Sequence, residues 1–190
     1  MTRFPGWLVL FAFLLPVRFA YAQAIDYSRS QITVQSRQMN VPVEAPFRKF
    51  TAQVSFDPNK PEASSARVEI DLNSFDIGDA ETNENVKDRN WFDTKTYPIA
   101  RFVSSSIRST GAGRYEARGA LTLKGKTADV VAPFTVKTAG ADRIFEGAFT
   151  IRRLQYNVGD GVWRDTSVVA DEVQIKFRLY QTNTKSPTSR

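Results

Sequence analysis

The stretch that decides the fold of this chain is residues 90–106, NWFDTKTYPIARFVSSS. Two adjacent aromatic residues, Trp91 and Phe92, precede Tyr97-Pro98, and the proline disfavours helix at the residue before it. From Ala100 onward the residues resemble a strand. Strand-like segments and one helix-like segment come before this stretch, and only strand-like segments come after it. The stretch therefore predicts a corner between a short helix and a β-sheet.

Alternation of apolar and polar residues predicts eight strands in the rest of the chain. These segments are residues 32–36, 50–56, 67–72, 101–107, 115–123, 130–136, 145–151 and 173–179. Pro42 and Pro46 prevent residues 38–46 from forming a central strand, and Pro133 predicts a bulge or an edge position. Hairpin-linked amphipathic strands favour an all-β fold, an eight-stranded antiparallel barrel, because closure removes exposed strand edges.

A short helix is predicted over residues 80–88, where the alternation stops and good helix formers follow one another. Asp79 is a suitable N-cap because its carboxylate can accept a hydrogen bond from the first helical turn. A length of two to three turns would place this helix across one end of the sheet.

The first residues have the pattern of a secretory signal peptide. Arg3 precedes an apolar run over residues 7–17, and Ala20-Tyr21-Ala22 is a suitable cleavage site, so we expect cleavage after Ala22. The alternative, a retained membrane anchor, is disfavoured because a span needs about 20 apolar residues. The predicted organisation is a signal peptide over 1–22, one domain over 23–181 and a disordered polar tail over 182–190.

The composition excludes several kinds of chemistry. The chain has no histidine and no cysteine, which removes Ser-His and Cys-His catalysis and most zinc and copper sites. The acidic residues between Asp71 and Asp93 match no calcium loop, and Gly125-Lys126-Thr127 lacks the rest of a phosphate-binding loop. We therefore expect a protein that is not an enzyme and has neither cofactor nor metal.

Charge is distributed unevenly along the chain. Residues 23–93 carry 8 basic and 12 acidic residues, whereas residues 94–190 carry 16 and 8. A basic half is compatible with an anionic membrane or headgroup, although solvated strand faces are the favoured explanation. No dense basic cluster indicates nucleic acid.

Aromatic residues are more numerous than a thin sheet requires, and small residues share their strand faces. Ala117, Gly119, Ala132 and Gly147 stand where a packed barrel would place larger side chains, which predicts an internal cavity. The alternative is a packed core. The predicted lining residues are Phe50, Val68, Ile70, Leu72, Phe75, Trp91, Phe92, Phe102, Leu121, Phe134, Phe149, Trp163, Ile175 and Phe177.

Taken in order, several stretches resemble the YceI-like family. They are residues 65–71, Trp91-Phe92-Asp93 with Tyr97-Pro98, residues 100–106, 119–127, 145–153 and 173–179. Members of that family are exported bacterial proteins with a lipocalin-like barrel that bind polyisoprenoid lipids. Many relatives have histidines where this chain has Gln31 and Asn85, and a Phe-Gly pair where it has Tyr156-Asn157.

The resemblance implies a periplasmic carrier of an isoprenoid lipid or isoprenoid quinone, held in the barrel interior. Trp91 and Phe92 would close or gate one end, and Arg152 and Arg153 are the candidates for headgroup contact. Transient membrane contact and a homodimer are compatible with the sequence. The alternative is an interaction module whose basic outer face docks a membrane redox or envelope partner.

Overall fold

The computed structural model describes residues 22–184, and the predicted signal peptide up to residue 21 and the tail beyond residue 184 lie outside it. Ten strands lie within these described residues. They are β1 (Ala22–Ile25), β2 (Gln31–Gln38), β3 (Val41–Phe47), β4 (Phe50–Ser55), β5 (Ser65–Asp71), β6 (Ile99–Gly111), β7 (Arg114–Leu123), β8 (Lys126–Ala139), β9 (Asp142–Arg152) and β10 (Glu172–Thr184). No helix in this range is long and apolar enough to cross a membrane.

The strands form one antiparallel sheet, which curls into an open barrel. Its order is β3-β2-β10-β9-β8-β7-β6-β5-β4, and β1 pairs with the far end of β10. The all-β prediction is confirmed, but the predicted number of eight strands is wrong. The two additional strands are the four-residue β1 and the proline-containing β3, neither of which shows a clear alternation.

Proline positions explain where strand pairing stops. β3 contains Pro42 and Pro46 and pairs only with β2, which makes it an edge strand. Proline lacks a backbone N–H group, and an edge strand tolerates this because one of its sides has no strand partner. Pairing of β8 with β9 begins at Phe134, directly after Pro133, so this proline also lies at a locally unpaired edge.

The two ends of the sheet are not joined by strand pairing, which differs from the predicted closed barrel. β3 and β4 do not pair, and the free edge of β4 faces the region of β1. We call this gap the seam. Three side chains bridge it to the backbone of residues 52–56: Tyr27 Oη accepts from Ala52 N at 3.2 Å, Gln181 Nε2 donates to Val54 O at 2.7 Å and Arg143 Nη1 donates to Phe56 O at 2.8 Å.

Helix α1 (Ala80–Asn85) begins as predicted but is shorter than predicted. Asp79 Oδ1 accepts from Thr82 N at 2.8 Å, which makes Asp79 the N-cap. The carbonyl of Val86 accepts from Phe92 N at 2.9 Å instead of from a further helical turn. The helix therefore ends where the chain folds back through Trp91 and Phe92.

The last strand is longer than the predicted segment. β10 continues to Thr184 because its final residues pair with β1, with Ala22 opposite Thr184. Residues 182–184 are therefore strand rather than tail. The pairing of β1 with the end of β10 places these two segments beside the seam.

Candidate ligand cavity

The interior of the barrel contains two chambers. The larger, of about 290 Å³, lies under α1 and is called the mouth chamber, because its wall includes the exposed residues Arg37, Gln38 and Asn85. The smaller, of about 100 Å³, is called the deep chamber. Five residues belong to the walls of both chambers: Ile32, Ile70, Ala100, Leu121 and Ile175. The chambers are therefore adjacent parts of one predominantly apolar interior.

Thirteen of the fourteen predicted lining residues lie on these walls. The mouth chamber is bordered by Leu72, Phe75, Trp91, Phe92 and Trp163. The deep chamber is bordered by Val68, Phe102, Phe134, Phe149 and Phe177, and Ile70, Leu121 and Ile175 border both. Their contact with a ligand stays a prediction.

Phe50 is the predicted lining residue that lies on neither wall. It is half-buried beside the seam, with its ring centroid 5.6 Å from that of Tyr27 in an edge-on arrangement. Its strand β4 is the edge strand there, so the residue packs across the seam instead of bordering a chamber.

The predicted role of the small residues is correct for the alanines and wrong for the glycines. Ala117 and Ala132 border the deep chamber. The space beside Gly119 is filled instead, since a β-carbon there would lie 2.3 Å from the carbonyl oxygen of Val103 and 2.8 Å from Cε2 of Phe102. Gly147 is similar, because a β-carbon would lie 2.7 Å from Cζ of Phe177. Glycine at both positions lets an aromatic ring lie against the backbone.

Arg153 is the buried charged residue on the wall of the mouth chamber. It is 2% exposed, and its guanidinium donates all its hydrogen bonds to backbone carbonyls. Nε donates to Ala170 O at 3.0 Å, Nη1 to Val158 O and Gly159 O at 2.9 and 2.8 Å, and Nη2 to Trp163 O and Val169 O at 2.6 and 2.8 Å. One side chain thereby fixes the segment over residues 158–170, which covers this end of the barrel.

Arg153 borders the mouth chamber, but its hydrogen bonds leave no donor for a headgroup, so the predicted headgroup contact stays a prediction. Its donors are already engaged, and its charge faces carbonyl dipoles and the ring of Trp91, whose centroid is 5.8 Å from Cζ. Burial lowers the pKa of Arg153 below its ordinary value, and the charge of Asp171 opposes that shift. Gly159 is required beside it, because a β-carbon would lie 2.2 Å from Nη1. The other predicted headgroup residue, Arg152, is exposed and borders neither chamber.

The residues of the opening stretch form the wall beside this segment. The rings of Trp91 and Trp163 have centroids 5.5 Å apart, and Phe92 packs against Phe75 at 5.8 Å. The chain turns at Asn157, whose φ of 56° lies in the left-handed region that asparagine tolerates. Asparagine can therefore hold this left-handed turn without glycine.

Lys124 links the residues that directly precede these two segments, Arg89 and Asn157. Its ammonium donates to Arg89 O at 2.6 Å and to Asn157 O at 2.7 Å. Burial lowers the pKa of Lys124, and the charges of Asp93 and Asp160 oppose that effect. The lysine thus fixes the corner between the opening stretch and the covering segment.

Sequence reasoning missed the polar residues of the mouth chamber. Ser36, Gln38, Thr82 and Asn85 border it, together with Arg37. The hydroxyl of Ser36 is buried and has no hydrogen-bond partner among residues 22–184. The sequence signal for this residue was the alternation on β2, in which Ser36 follows Ile32 and Val34 on the inward face. A ligand with a polar end would find an unsatisfied hydroxyl here.

Comparison with known proteins shows the class of this protein. A curled antiparallel sheet around an apolar interior is shared with lipocalin-like barrels, and the family model of the YceI-like domain matches residues 23–180. The chain belongs to the YceI-like family.

Individual relatives agree with this membership. The crystal structure of BcnA from Burkholderia cenocepacia is 51% identical, with a TM-score of 0.81 over 82% of this chain and 98% of that chain. A polyisoprenoid binding domain from Saccharophagus degradans, implicated in plant cell wall breakdown, is 18% identical with a TM-score of 0.69 over 87% of this chain and all of that chain, which shows the fold alone.

A UPF0312 protein from Pseudomonas savastanoi is 34% identical over 100 residues, 53% of this chain and 52% of its own length. The matched region thus spans about half the length of such curated relatives.

Proposed function

We propose that this protein is a periplasmic, non-catalytic carrier of an isoprenoid lipid or isoprenoid quinone. The observation that carries the proposal is the unfilled apolar interior, in which two adjacent chambers share five wall residues. A side-by-side pair of chambers suits a flexible branched chain better than a compact rigid ligand. The family membership and the polyisoprenoid-binding domain of similar fold support this ligand class.

The energetics favour reversible loading. Each methylene group removed from water contributes about 0.8 kcal/mol. An isoprenoid tail is already removed from water in a bilayer, so transfer from bilayer to protein is close to balanced. The protein would therefore exchange its ligand with membranes rather than store it permanently.

The polar end of the ligand is placed at the mouth chamber in this proposal. Ser36, Thr82 and Asn85 offer neutral hydrogen-bonding groups there, and Arg153 has none to spare. A hydroxyl or quinone oxygen fits such partners without needing a buried counter-charge.

The interaction-module alternative requires a barrel that is stable without a guest. The basic half of the chain remains compatible with docking to a partner. However, a protein that acts only through its outer face does not need an apolar cavity. Voids cost stability because their walls lose packing contacts. The unfilled interior therefore favours the carrier over the docking module.

The test is identification of the natural ligand. The protein is purified without detergent after export in its native host, its intact mass is measured, and the organic extract is analysed by mass spectrometry. We expect an N-terminus at Gln23 and a stoichiometric isoprenoid. Repeated absence of such a lipid, combined with no uptake of added polyprenol or ubiquinone, would contradict the proposal.

A further inference from the structure

Three apolar side chains stand out from the rest of the surface. Val162, Met39 and Val41 are 83%, 67% and 61% exposed, whereas no other large apolar residue within 22–184 exceeds 48%. All three adjoin the mouth chamber along the chain. Gln38, Val43 and Trp163 belong to the wall of that chamber. Met39 comes directly after Gln38, and Val162 comes directly before Trp163. Val41 lies two residues before Val43.

Hydrogen bonds hold the two segments that carry these side chains next to each other. Met39 N donates to Val168 O at 2.8 Å, and Gln38 is bridged to Val169. The hairpin between β2 and β3 turns through Met39 and Asn40, both with positive φ, so its tip is tight. The exposed residues therefore project from two adjoining turns beside one opening.

We propose that Met39, Val41 and Val162, called the mouth rim, dock the protein on a lipid bilayer and hold the cavity mouth against it. This inference rests on the proposed carrier function, because the ligand of such a carrier resides in a bilayer. Side chains on two turns can enter the boundary between headgroups and acyl chains. A stable protein partner would instead need a patch of about 800 Å² on this side, and three separate side chains do not supply one.

Charge around the mouth supports one orientation on an anionic bilayer. Arg37, beside the rim, is exposed and makes no ion pair within the described residues. Across the mouth, α1 exposes Glu81, which makes no ion pair among residues 22–184, and Glu84, which pairs with Lys87. An anionic surface attracts the hairpin side and repels the helix side. The protein would therefore tilt with its rim down and α1 away from the lipid.

The test compares vesicle binding with ligand uptake. The exported protein and a variant with Met39→Ser, Val41→Ser and Val162→Ser are purified, and intact masses establish that their N-termini agree. Flotation with phosphatidylcholine vesicles containing phosphatidylglycerol measures binding. We expect the parent to bind and the variant to lose about tenfold or more in partitioning, given the apolar area withdrawn from the bilayer. The matched control, Val103→Ser with Val131→Ser, removes two exposed valines outside the rim and should bind as the parent does.

Uptake of polyprenol from cyclodextrin, without vesicles, separates this inference from the carrier function. We expect the rim variant to take up polyprenol as the parent does. Failure of the parent to bind vesicles, or equal binding by the rim variant, would overturn the docking surface, as would a rim-dependent protein complex without vesicle binding. Rim-dependent vesicle binding with no polyprenol uptake by any form would instead refute the carrier function and leave the docking surface standing.

Discussion

At the scale of single residues, Arg153 shows how a buried charge can be structural. A guanidinium has five N–H donors in a fixed plane, and here the three nitrogens all donate to backbone carbonyls of one covering segment. The bonds to Val158 O, Gly159 O and Val169 O are buried, so these carbonyls would otherwise lie without partners. The residue thus stabilises the segment that carries Trp163 and Val169 to the cavity wall.

Arg153→Lys is expected to destabilise the protein strongly. A single ammonium cannot reach carbonyls arranged around a planar guanidinium, and several would lose their partner. We expect the free energy of unfolding, measured by denaturant titration, to fall by at least about 3 kcal/mol. Arg152→Lys is the matched control because its side chain is exposed, and its change should stay within about 0.5 kcal/mol. Similar small effects in both variants would contradict the assignment.

Ser36 is the residue with the clearest unused polar group in the mouth chamber. Ser36→Ala removes a buried hydroxyl that has no partner among residues 22–184, so the stability of the ligand-free protein should not fall. Affinity for polyprenol should decrease about fivefold, the value of one hydrogen bond near 1 kcal/mol. Squalene, a hydrocarbon without a hydroxyl, serves as the control ligand in the same titration. An equal loss of affinity for both would show that Ser36 acts by packing alone.

At the scale of elements, the seam replaces strand pairing with side-chain hydrogen bonds. The free edge of β4 would otherwise present unpaired backbone groups, which invite pairing with another chain. Tyr27, Arg143 and Gln181 occupy that edge from three different parts of the chain. The seam is therefore bridged by individual side-chain hydrogen bonds, each of which can be removed by a single substitution.

Tyr27→Phe tests this arrangement at one backbone amide. The substitution keeps the ring that packs on Phe50 but removes the hydroxyl that accepts from Ala52 N at 3.2 Å. Hydrogen exchange at Ala52 should accelerate by about fivefold, the equivalent of one hydrogen bond. Thr51 and Gln53 are internal controls, because neighbouring residues of a strand direct their N–H groups to opposite edges. Unchanged exchange at Ala52 would mean that the contact does not protect this edge.

At the scale of the whole molecule, two chambers of about 290 and 100 Å³ remain inside a barrel of ordinary size. The apolar walls come from strands far apart in the sequence, so ligand capacity belongs to the barrel and not to a local motif. Blocking the interior is therefore the most direct test of its role.

Ala132→Leu should fill the deep chamber without introducing a polar group. Ala132 is buried and borders that chamber, so the larger side chain occupies space that the ligand would need. We expect polyprenol uptake to fall at least tenfold while the melting temperature stays within a few degrees, as overpacking is limited where a void exists. Ile175→Glu, which places a charge on both chamber walls, should abolish uptake.

Val131→Leu is the control, since the neighbouring position is exposed on the outer face. Circular dichroism must show that each variant is folded. Normal uptake by folded Ala132→Leu and Ile175→Glu proteins would refute the interior as the binding site.

The sequence by itself determined the strand-forming segments, the capped helix and most of the cavity wall. These are local properties: alternation at period two places Val68 and Ile70 on one face, and a carboxylate at residue 79 can cap only the helix that follows it. The resemblance carried by residues 90–106 and the strand stretches also led to the correct family.

Only the tertiary structure decided which polar side chains lack a hydrogen-bond partner, where the sheet ends and what fills the space beside each glycine. Arg152 and Arg153 are equivalent in sequence, yet one is exposed and the other is surrounded by carbonyls of residues 158–170. Gly119 and Gly147 have no side chain of their own, and rings from neighbouring strands use their space. Such outcomes depend on contacts between distant segments, and no local pattern encodes the partner that a side chain finds when the sheet curls.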